Sequence, residues 1–329
     1  MELNLILSSV KEDLALFDQR LEENLSSDSA LVSQVAGHLV NRKGKRLRPA
    51  MVFLSYGACM NSKVNSASNP QVMNVALAIE FIHTATLLHD DVIDQSKVRR
   101  GQVSVNHKWN NLVSVLMGDF LLAKSLRLIV ATKSSPLLST ISKATENLSI
   151  GEMNEVQESH NFDLDEATYL QIISEKTASL FTASCESGAV AAGADAEVQK
   201  RLREYGQNLG MAFQITDDLL DWVGETEKTG KGLGNDLKEG KITLPLIHTL
   251  RESDQPSRKK LLKLLENDFN QKDFDKILSL IKGNGGVEYA QEKASAFGEK
   301  ALSFLSELKD SKYKKTLQDL ARFVIEREK

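Results

Sequence analysis

Apolar side chains recur along most of the chain at the spacing of an amphipathic helix. Near the N-terminus, Leu5, Leu14, Phe17 and Leu21 lie close to the helical period and predict a helix over residues 3–24. Further helices are predicted to end near residue 40 and to span residues 49–60, 71–94, 112–132, 136–162, 169–193 and 197–222, with shorter ones beyond residue 242. No segment shows the two-residue alternation of a half-buried strand. The chain is therefore predicted to be all-α, with residues 1–329 forming one domain.

Two stretches of this pattern differ from the rest. Residues 71–94 are apolar on nearly every side, which places their helix at the centre of the fold. Residues 224–241 are rich in glycine and charged side chains, so they are predicted to form a loop. A loop of that length inside a compact chain is usually functional.

The composition excludes several classes of protein. With 41 basic and 45 acidic residues the net charge is −4, so no general affinity for nucleic acid is expected. Cys59 and Cys185 are far apart and lack the spacing of a zinc site, which fits a reducing, cytoplasmic compartment. The N-terminus does not have the order of a signal peptide, and no uncharged apolar run reaches the roughly 18 residues of a membrane span.

Chemistry enters with the acidic cluster Asp90, Asp91 and Asp94, which follows the apolar stretch directly. On a continuing helix, Asp90 and Asp94 would lie one turn apart with both carboxylates facing the same way. Like charges at that spacing repel each other, and hard carboxylate oxygens suit Mg²⁺. Taken alone, the cluster fits a solvated acidic helix end as well as it fits a metal site.

A second cluster of the same form changes that balance. Asp217, Asp218 and Asp221 repeat the DDxxD spacing near the end of another helix. Two such clusters facing each other across a bundle would hold several Mg²⁺ ions, and the ions would hold a diphosphate. A basic turn over residues 42–48, just before a predicted helix start at Pro49, could bind a second phosphate group. A solvated basic turn is the alternative interpretation.

The motifs taken together closely resemble the trans-polyprenyl (E-type isoprenyl) diphosphate synthases, in the long-chain branch that includes octaprenyl- and heptaprenyl-like members. The matching motifs, in chain order, are Gly44-Lys45 with Arg48-Pro49, His83, the first DDxxD with Arg99-Arg100-Gly101, Gly151-Glu152, Lys176-Thr177, Gln214 with the second DDxxD, Gly230-Lys231 with Asp236, and Gly240-Lys241. Every motif position that we regard as essential is present.

The resemblance implies an isoprenoid synthase-type helical bundle around a central cavity, and a homodimer. It implies three Mg²⁺ ions per active site with substrate bound, held by Asp90, Asp94 and Asp217 and supported by Asp91, Asp218 and Asp221. Isopentenyl diphosphate would bind through Gly44, Lys45, Arg48, His83 and Arg100. The allylic substrate, farnesyl or geranylgeranyl diphosphate, would bind through Arg99, Lys176 and Lys231, with Lys241 completing the charged rim.

The implied reaction is ionisation, condensation and proton loss. Pyrophosphate leaves the allylic substrate, the isopentenyl double bond attacks the resulting cation, and loss of a proton gives a trans double bond. Thr177 and Gln214 would point at the developing cation, so together with Lys176 and the three principal aspartates they form the predicted catalytic set. No nucleophilic Ser, Cys or His is required.

Residues one or two turns before the first DDxxD would set the product length. Ala85 and Thr86 stand where short-chain members of the family typically carry bulky aromatic side chains. Small side chains there predict a long product of C35 to C50, with octaprenyl as the preferred length, for quinone side chains. The candidates for the floor of the cavity are Phe81, Ile82, Leu122 and Leu126. If Ala85 only packs against a neighbouring helix, a short-chain synthase making C15 to C20 products remains the alternative.

Three other functions were weighed. A class I terpene cyclase normally carries a different second metal motif and needs no second diphosphate site. A di-iron bundle would use Glu80 and His83 as a Glu-x-x-His motif, but that motif needs to occur twice and does not. A non-catalytic regulatory subunit would usually lack aspartates from one or both clusters, and both are intact here.

Overall fold

A computed structural model describes residues 2–40, 44–60, 66–99, 101–224, 233–265 and 271–326. Two predicted substrate-binding residues, Arg100 and Lys231, lie outside the described residues. The described chain is almost entirely helical, which confirms the predicted fold class.

Up to residue 157, the described residues form eight helices and a short hairpin. The helices are α1 (Leu3–Ile6), α2 (Lys11–Leu25), α3 (Ala30–Val40), α4 (Leu47–Met60), α5 (Pro70–Ile93), α6 (Val105–Lys108), α7 (Asn111–Ala131) and α8 (Ser135–Gln157), with 3₁₀ turns at Leu7–Val10 and Ser66–Ser68. Strands β1 (Val98–Arg99) and β2 (Gln102–Val103) pair antiparallel between α5 and α6.

The second part continues the helical pattern to the C-terminus. Its helices are α9 (Glu166–Ile173), α10 (Ser179–Ala191), α11 (Ala196–Val223), α12 (Asn235–Lys238), α13 (Leu244–Glu252), α14 (Gln255–Leu265), α15 (Gln271–Gly283), α16 (Gly286–Phe304) and α17 (Lys312–Ile325). A π-helical turn, Ser174–Ala178, joins α9 to α10.

Tertiary contacts group the chain into two compact units. Unit 1 is Met1–Thr145, Leu180–Gly206 and Phe304–Leu320, and unit 2 is Glu146–Ser179, Gln207–Ser303 and Ala321–Lys329. The first acidic cluster belongs to unit 1, and the second belongs to unit 2 with Lys176, Thr177 and Gln214. The expectation of one domain stays a prediction.

Four local expectations were wrong in detail. Helix α4 starts at Leu47 and not at Pro49, which is tolerated because N–H groups in the first turn have no intrahelical partner. Helix α8 ends at Gln157 and not at residue 162, since His160 adopts a left-handed φ of 60°. The stretch predicted as one helix over 169–193 contains the π turn, and the loop predicted over 224–241 contains the one-turn helix α12.

Helix α5 is the centre of unit 1. The Asn69 side chain accepts a hydrogen bond from the Gln71 amide at 2.9 Å, and Pro70 occupies the first turn, so the helix start is well defined. Its apolar residues are buried on most sides, chiefly against α4 and α7. By length and composition α5 could cross a membrane, but 67% of its most apolar window is buried inside the protein, as in the core helix of a globular protein.

Unit 2 has its own core beneath the end of α11. The indole of Trp222 stacks on Phe274 with ring centroids 5.6 Å apart, and its Nε1 donates a hydrogen bond to Thr243 Oγ1 at 2.8 Å. Both rings are fully buried. Because Trp222 follows Asp221 directly, this packing fixes the part of α11 that carries the second acidic cluster.

The close packing of α10 on α4 in unit 1 gives a testable prediction. A Cβ at Gly188 would lie 2.5 Å from the Val52 carbonyl oxygen and 2.9 Å from the Tyr56 nitrogen. Since backbone atoms cannot move aside cheaply, Gly188→Ala should lower the free energy of unfolding by about 2–3 kcal/mol. Gly37→Ala is the matched control in helix α3, with no atom within 4 Å, and should raise stability by about 0.8 kcal/mol. Urea denaturation measures both, and equal effects would contradict this account of the packing.

Candidate active site

The first acidic cluster occupies the C-terminal end of α5. Asp90 and Asp91 lie in its last turn and Asp94 is the C-cap. The Asp94 amide donates to the Asp90 carbonyl at 2.8 Å, so the helical path continues through the motif. Asp90 and Asp94 are thus one helical turn apart, as the spacing predicted.

Asp91 has a different environment from its two neighbours. Its side chain is 1% exposed and accepts a hydrogen bond from Arg99 Nε, which also forms an ion pair with it. Its backbone carbonyl accepts a hydrogen bond from Asn106 Nδ2 at 2.8 Å. The short hairpin folds back onto the end of α5 because Gly101 takes a left-handed φ of 74°, and this brings Arg99 to Asp91. Asp91 therefore holds the hairpin in place.

The position of both clusters is electrostatically unfavourable for the folded chain alone. A helix concentrates roughly half a negative charge at its C-terminal end, where cations are favoured and carboxylates are not. The clusters lie in the last turns of α5 and α11, both wholly within the described residues, and neither helix has a basic residue in its last turn. A bound cation would relieve this repulsion.

The predicted residues of the second diphosphate site lie in unit 1. Gly44 and the exposed Lys45 immediately precede α4, and the Arg48 guanidinium lies 4.9 Å from the ring centroid of Phe181. His83 is half-buried on α5, on the wall of a cavity of about 50 Å³. That cavity is also lined by leucines and by charged residues, including Arg46, Glu80, Asp91 and Arg99.

Arg46 and Glu80 were not predicted as site residues. Arg46 Nη1 donates to Glu80 Oε1 at 2.6 Å, and Arg46 Nε donates to Asp18 Oδ1 at 3.0 Å. Because Glu80 is buried and already paired with Arg46, it fits a structural ion pair better than an iron ligand. Within the described part of the chain, no three or more His, Cys, Asp or Glu side chains form a group that could hold a metal ion by themselves. The di-iron alternative therefore has no support.

The second acidic cluster lies on the last two turns of α11. Asp217 is exposed. Asp221 accepts hydrogen bonds from the backbone amides of Asn235 at 3.1 Å and Asp236 at 3.0 Å, through its two carboxylate oxygens. Those amides begin α12, so Asp221 caps that short helix from a distance. The supporting role assigned to Asp221 from the sequence stays a prediction.

Asp218 is the centre of a chain of hydrogen bonds. Its Oδ1 accepts from Gln214 Nε2 at 2.7 Å and its Oδ2 accepts from the Tyr169 hydroxyl at 2.6 Å, while the Thr177 hydroxyl donates to Gln214 Oε1 at 2.7 Å. Burial raises the pKa of Asp218 to about 7, although both hydrogen bonds oppose that shift. Burial and the adjacent carboxylate also raise the pKa of Tyr169 well above its ordinary value, so the phenol stays protonated.

Lys176 is placed by the π turn and held by two glutamates. Its Nζ lies 2.8 Å from Glu152 Oε2 and 2.5 Å from Glu155 Oε2. A Cβ at Gly151 would lie 2.4 Å from the backbone nitrogen of Lys176, so only glycine lets α8 approach the turn this closely. π-helical turns inside α-helices are frequent at functional sites.

Lys241 belongs to the same charged group. Its Nζ is 2.7 Å from Glu239 Oε2 and 3.9 Å from Glu155 Oε2. Two of the lysines predicted to bind diphosphate, Lys176 and Lys241, therefore share one carboxylate, Glu155. Sequence reasoning missed Glu155, although its position three residues after Glu152 puts both on one face of α8.

The predicted chain-length residues lie on α5. Phe81, Ile82 and Ala85 are fully buried, while Thr86 is half-buried and donates from Oγ1 to the His83 carbonyl at 2.8 Å. Among the candidates for the cavity floor, Leu126 is 57% exposed, so the structure does not support it in that role.

The residues fit Mg²⁺ by their chemistry. Both clusters offer carboxylate oxygens, which Mg²⁺ prefers, and Mg²⁺ usually shares one or two carboxylates with substrate phosphates and does not need a cage made by the protein alone. Asp91, Asp218 and Asp221 have carboxylates engaged by Arg99, Tyr169 with Gln214, and α12. Asp90, Asp94 and Asp217 are the members that the sequence assigns to the ions, and this assignment stays a prediction.

Comparisons with known proteins agree with this chemistry. The family model described as polyprenyl synthetase matches residues 29–281. The all-trans-nonaprenyl-diphosphate synthase (geranyl-diphosphate specific) of Rhodobacter capsulatus is 37% identical over 98% of this chain and 97% of its own, and the octaprenyl diphosphate synthase of Escherichia coli is 34% identical over all of both chains. A crystal structure of polyprenyl synthase from Caulobacter crescentus, complexed with calcium and isoprenyl diphosphate, superposes with a TM-score of 0.91 at 36% identity over 100% of this chain and 98% of that one. The chain therefore belongs to the polyprenyl synthetase family of prenyltransferases.

Proposed function

We propose that this protein is a long-chain trans-polyprenyl diphosphate synthase that condenses an allylic diphosphate with isopentenyl diphosphate. The observation that carries the proposal is the pair of DDxxD clusters at the C-terminal ends of α5 and α11, each in a position that a cation would stabilise. Prenyl diphosphate synthases of this family use these two substrate classes and generally depend on Mg²⁺.

In this proposal Asp90, Asp94 and Asp217 hold the Mg²⁺ ions, three per site with substrate bound. The ions would supply charge neutralisation for the departing pyrophosphate. Lys176, Lys231, Lys241 and Arg99 bind the allylic diphosphate, and Gly44, Lys45, Arg48, His83 and Arg100 bind isopentenyl diphosphate. Glu152 and Glu155 keep Lys176 extended by ion pairs until a diphosphate competes for its ammonium group.

Thr177 and Gln214 act on the reacting carbons. The Thr177 hydroxyl donates a hydrogen bond to Gln214 Oε1, so the lone pairs of the Thr177 oxygen remain available to a developing positive charge. Oxygen dipoles fixed before the reaction stabilise such charge without having to reorient. The oxygens of both side chains would thus favour ionisation of the allylic substrate.

The preferred product is octaprenyl diphosphate, within the range C35 to C50, made for quinone side chains. The small side chain of Ala85 supports a product beyond C20, and the relatives from Rhodobacter capsulatus and Escherichia coli are named for nonaprenyl and octaprenyl products. Farnesyl or geranylgeranyl diphosphate is the proposed primer, and the cytoplasm the proposed compartment.

A homodimer is proposed from one face of α7. Leu112, Leu116, Leu126 and Val130 are each more than half exposed in the single chain, and they recur along that helix at near-helical spacing. Contiguous exposed apolar side chains of this kind mark protein interfaces more often than free surface. A second copy of the chain covering α7 would also account for the exposure of Leu126.

The metal assignment can be tested directly. Purified protein with Mg²⁺, farnesyl diphosphate and labelled isopentenyl diphosphate should make a polyprenyl product, and Asp90→Asn or Asp217→Asn should lower kcat by about 100-fold or more because each removes a charge that positions the leaving group. Asp163→Asn, whose side chain is 85% exposed, is the matched control and should retain activity. No turnover by the wild-type protein alone would refute the proposed function.

The product-length assignment predicts a shorter product from Ala85→Phe. A bulky ring on α5, one turn before Asp90, should stop elongation at C15 to C20, whereas Ala85→Ser, which is nearly isosteric, should keep the wild-type length. Chromatography of the dephosphorylated products measures both. If Ala85 only packs against a neighbouring helix, Ala85→Phe will lower the melting temperature and leave the product length unchanged.

The dimer assignment predicts a loss of association from one charge on α7. Leu116→Glu should convert a dimer into a monomer in light scattering because an unpaired carboxylate in an apolar interface is costly to bury. Leu5→Glu introduces the same charge at a residue that is 65% exposed on another helix, and should leave the mass unchanged. A wild-type monomer at micromolar concentration would overturn the assignment.

A further inference from the structure

Tyr169 is a buried residue of unit 2 that none of the recognised motifs includes. Its side chain is 4% exposed, and its hydroxyl donates to the buried carboxylate of Asp218 at 2.6 Å. The carboxylate accepts a second hydrogen bond from Gln214 Nε2 at 2.7 Å, and Gln214 Oε1 accepts from the Thr177 hydroxyl at 2.7 Å. Four side chains thus form one continuous hydrogen-bonded chain that ends at Thr177.

The polypeptide backbone closes this series of hydrogen bonds into a ring. Tyr169 is on α9 and Thr177 is in the π turn that follows directly, while Gln214 and Asp218 are four residues apart on α11. The hydrogen bonds therefore tie two ends of one helical segment to a single face of α11. Such a closed arrangement fixes the positions of Gln214 and Thr177 relative to each other.

The direction of the hydrogen bonds decides which atoms Gln214 presents. An amide can face Asp218 with either its NH₂ or its carbonyl, and a carboxylate can only accept. With Asp218 ionised and accepting at both oxygens, Gln214 turns its NH₂ towards Asp218 and its carbonyl oxygen towards Thr177. The opposite orientation would set two acceptors against each other and place N–H groups where a cation develops.

We propose that Tyr169 is a positioning residue for the condensation, which fixes Asp218 so that Gln214 and Thr177 present oxygen atoms to the allylic cation. This inference rests on the proposed function, since it assigns those oxygens to the reacting carbons. Tyr169 contacts no substrate in this arrangement and acts only through Asp218. Its removal changes how well the developing charge is stabilised and leaves the diphosphate contacts in place.

Tyr169→Phe tests the inference because it removes one oxygen and keeps the ring. We expect kcat to fall by between about 10-fold and 100-fold, the range that small misplacements near the reacting atoms produce. The KM values for both diphosphates should stay within twofold of wild type. Tyr205→Phe is the matched control, because Tyr205 is also buried and donates a 2.8 Å hydrogen bond, to the Leu317 carbonyl in unit 1. It should lower the melting temperature about as much as Tyr169→Phe and leave kcat unchanged.

A double-mutant cycle separates positioning from general destabilisation. In a Gln214→Ala background the series of hydrogen bonds from Tyr169 to Thr177 is already interrupted, so adding Tyr169→Phe should change kcat by less than twofold. Multiplicative effects in the double mutant would overturn the inference, as would an unchanged kcat in a folded Tyr169→Phe protein. Either result would leave the proposed function intact as long as the wild-type enzyme makes a polyprenyl product. If the wild-type enzyme makes none, the proposed function itself fails.

Discussion

Asp90 and Asp94 lie one turn apart at the end of α5, where the helix dipole already concentrates negative charge. Asp217 and its neighbours occupy the equivalent region of α11. The dipole disfavours carboxylates in this position, and neither helix carries a basic residue in its last turn. The most economical explanation is that the sequence is adapted to a cationic ligand.

Within each acidic cluster, different aspartates have different roles. In the first cluster, Asp91 pairs with Arg99. In the second, Asp218 accepts hydrogen bonds from Tyr169 and Gln214, and Asp221 accepts from an amide at the start of α12. These buried or capped carboxylates hold backbone and side chains in place. Asp90, Asp94 and Asp217 are the members proposed to bind the ions. Rigid support and exchangeable binding are thus assigned to different residues of one short motif.

Much of this was predictable from sequence because it is local. Helical periodicity identified the helices, and the DDxxD spacing placed Asp90 and Asp94 on one face of α5. Tyr169 could not be found in the same way, because its partner Asp218 is 49 residues away and its hydrogen bond depends on how α9 packs on α11. The π turn at Lys176 was missed because it has no compositional signal of its own. The nearest sign of the turn in the sequence is Gly151. The reason for a glycine there becomes visible only in the packing of α8 against the turn.

Asp221 accepts from the amides of Asn235 and Asp236, and its carbonyl accepts from the Gly234 amide at 2.9 Å. Residues 234–236 therefore lie next to Asp221, and this one aspartate holds together the two ends of the stretch between them. Closing such a stretch costs only about 0.6 kcal/mol more for each doubling of its length. Insertions and deletions there should leave Lys241 in place, because Lys241 follows the closed stretch and its amide donates to the Asp236 carbonyl at 2.8 Å, whereas they would displace Lys231, which the stretch contains in sequence.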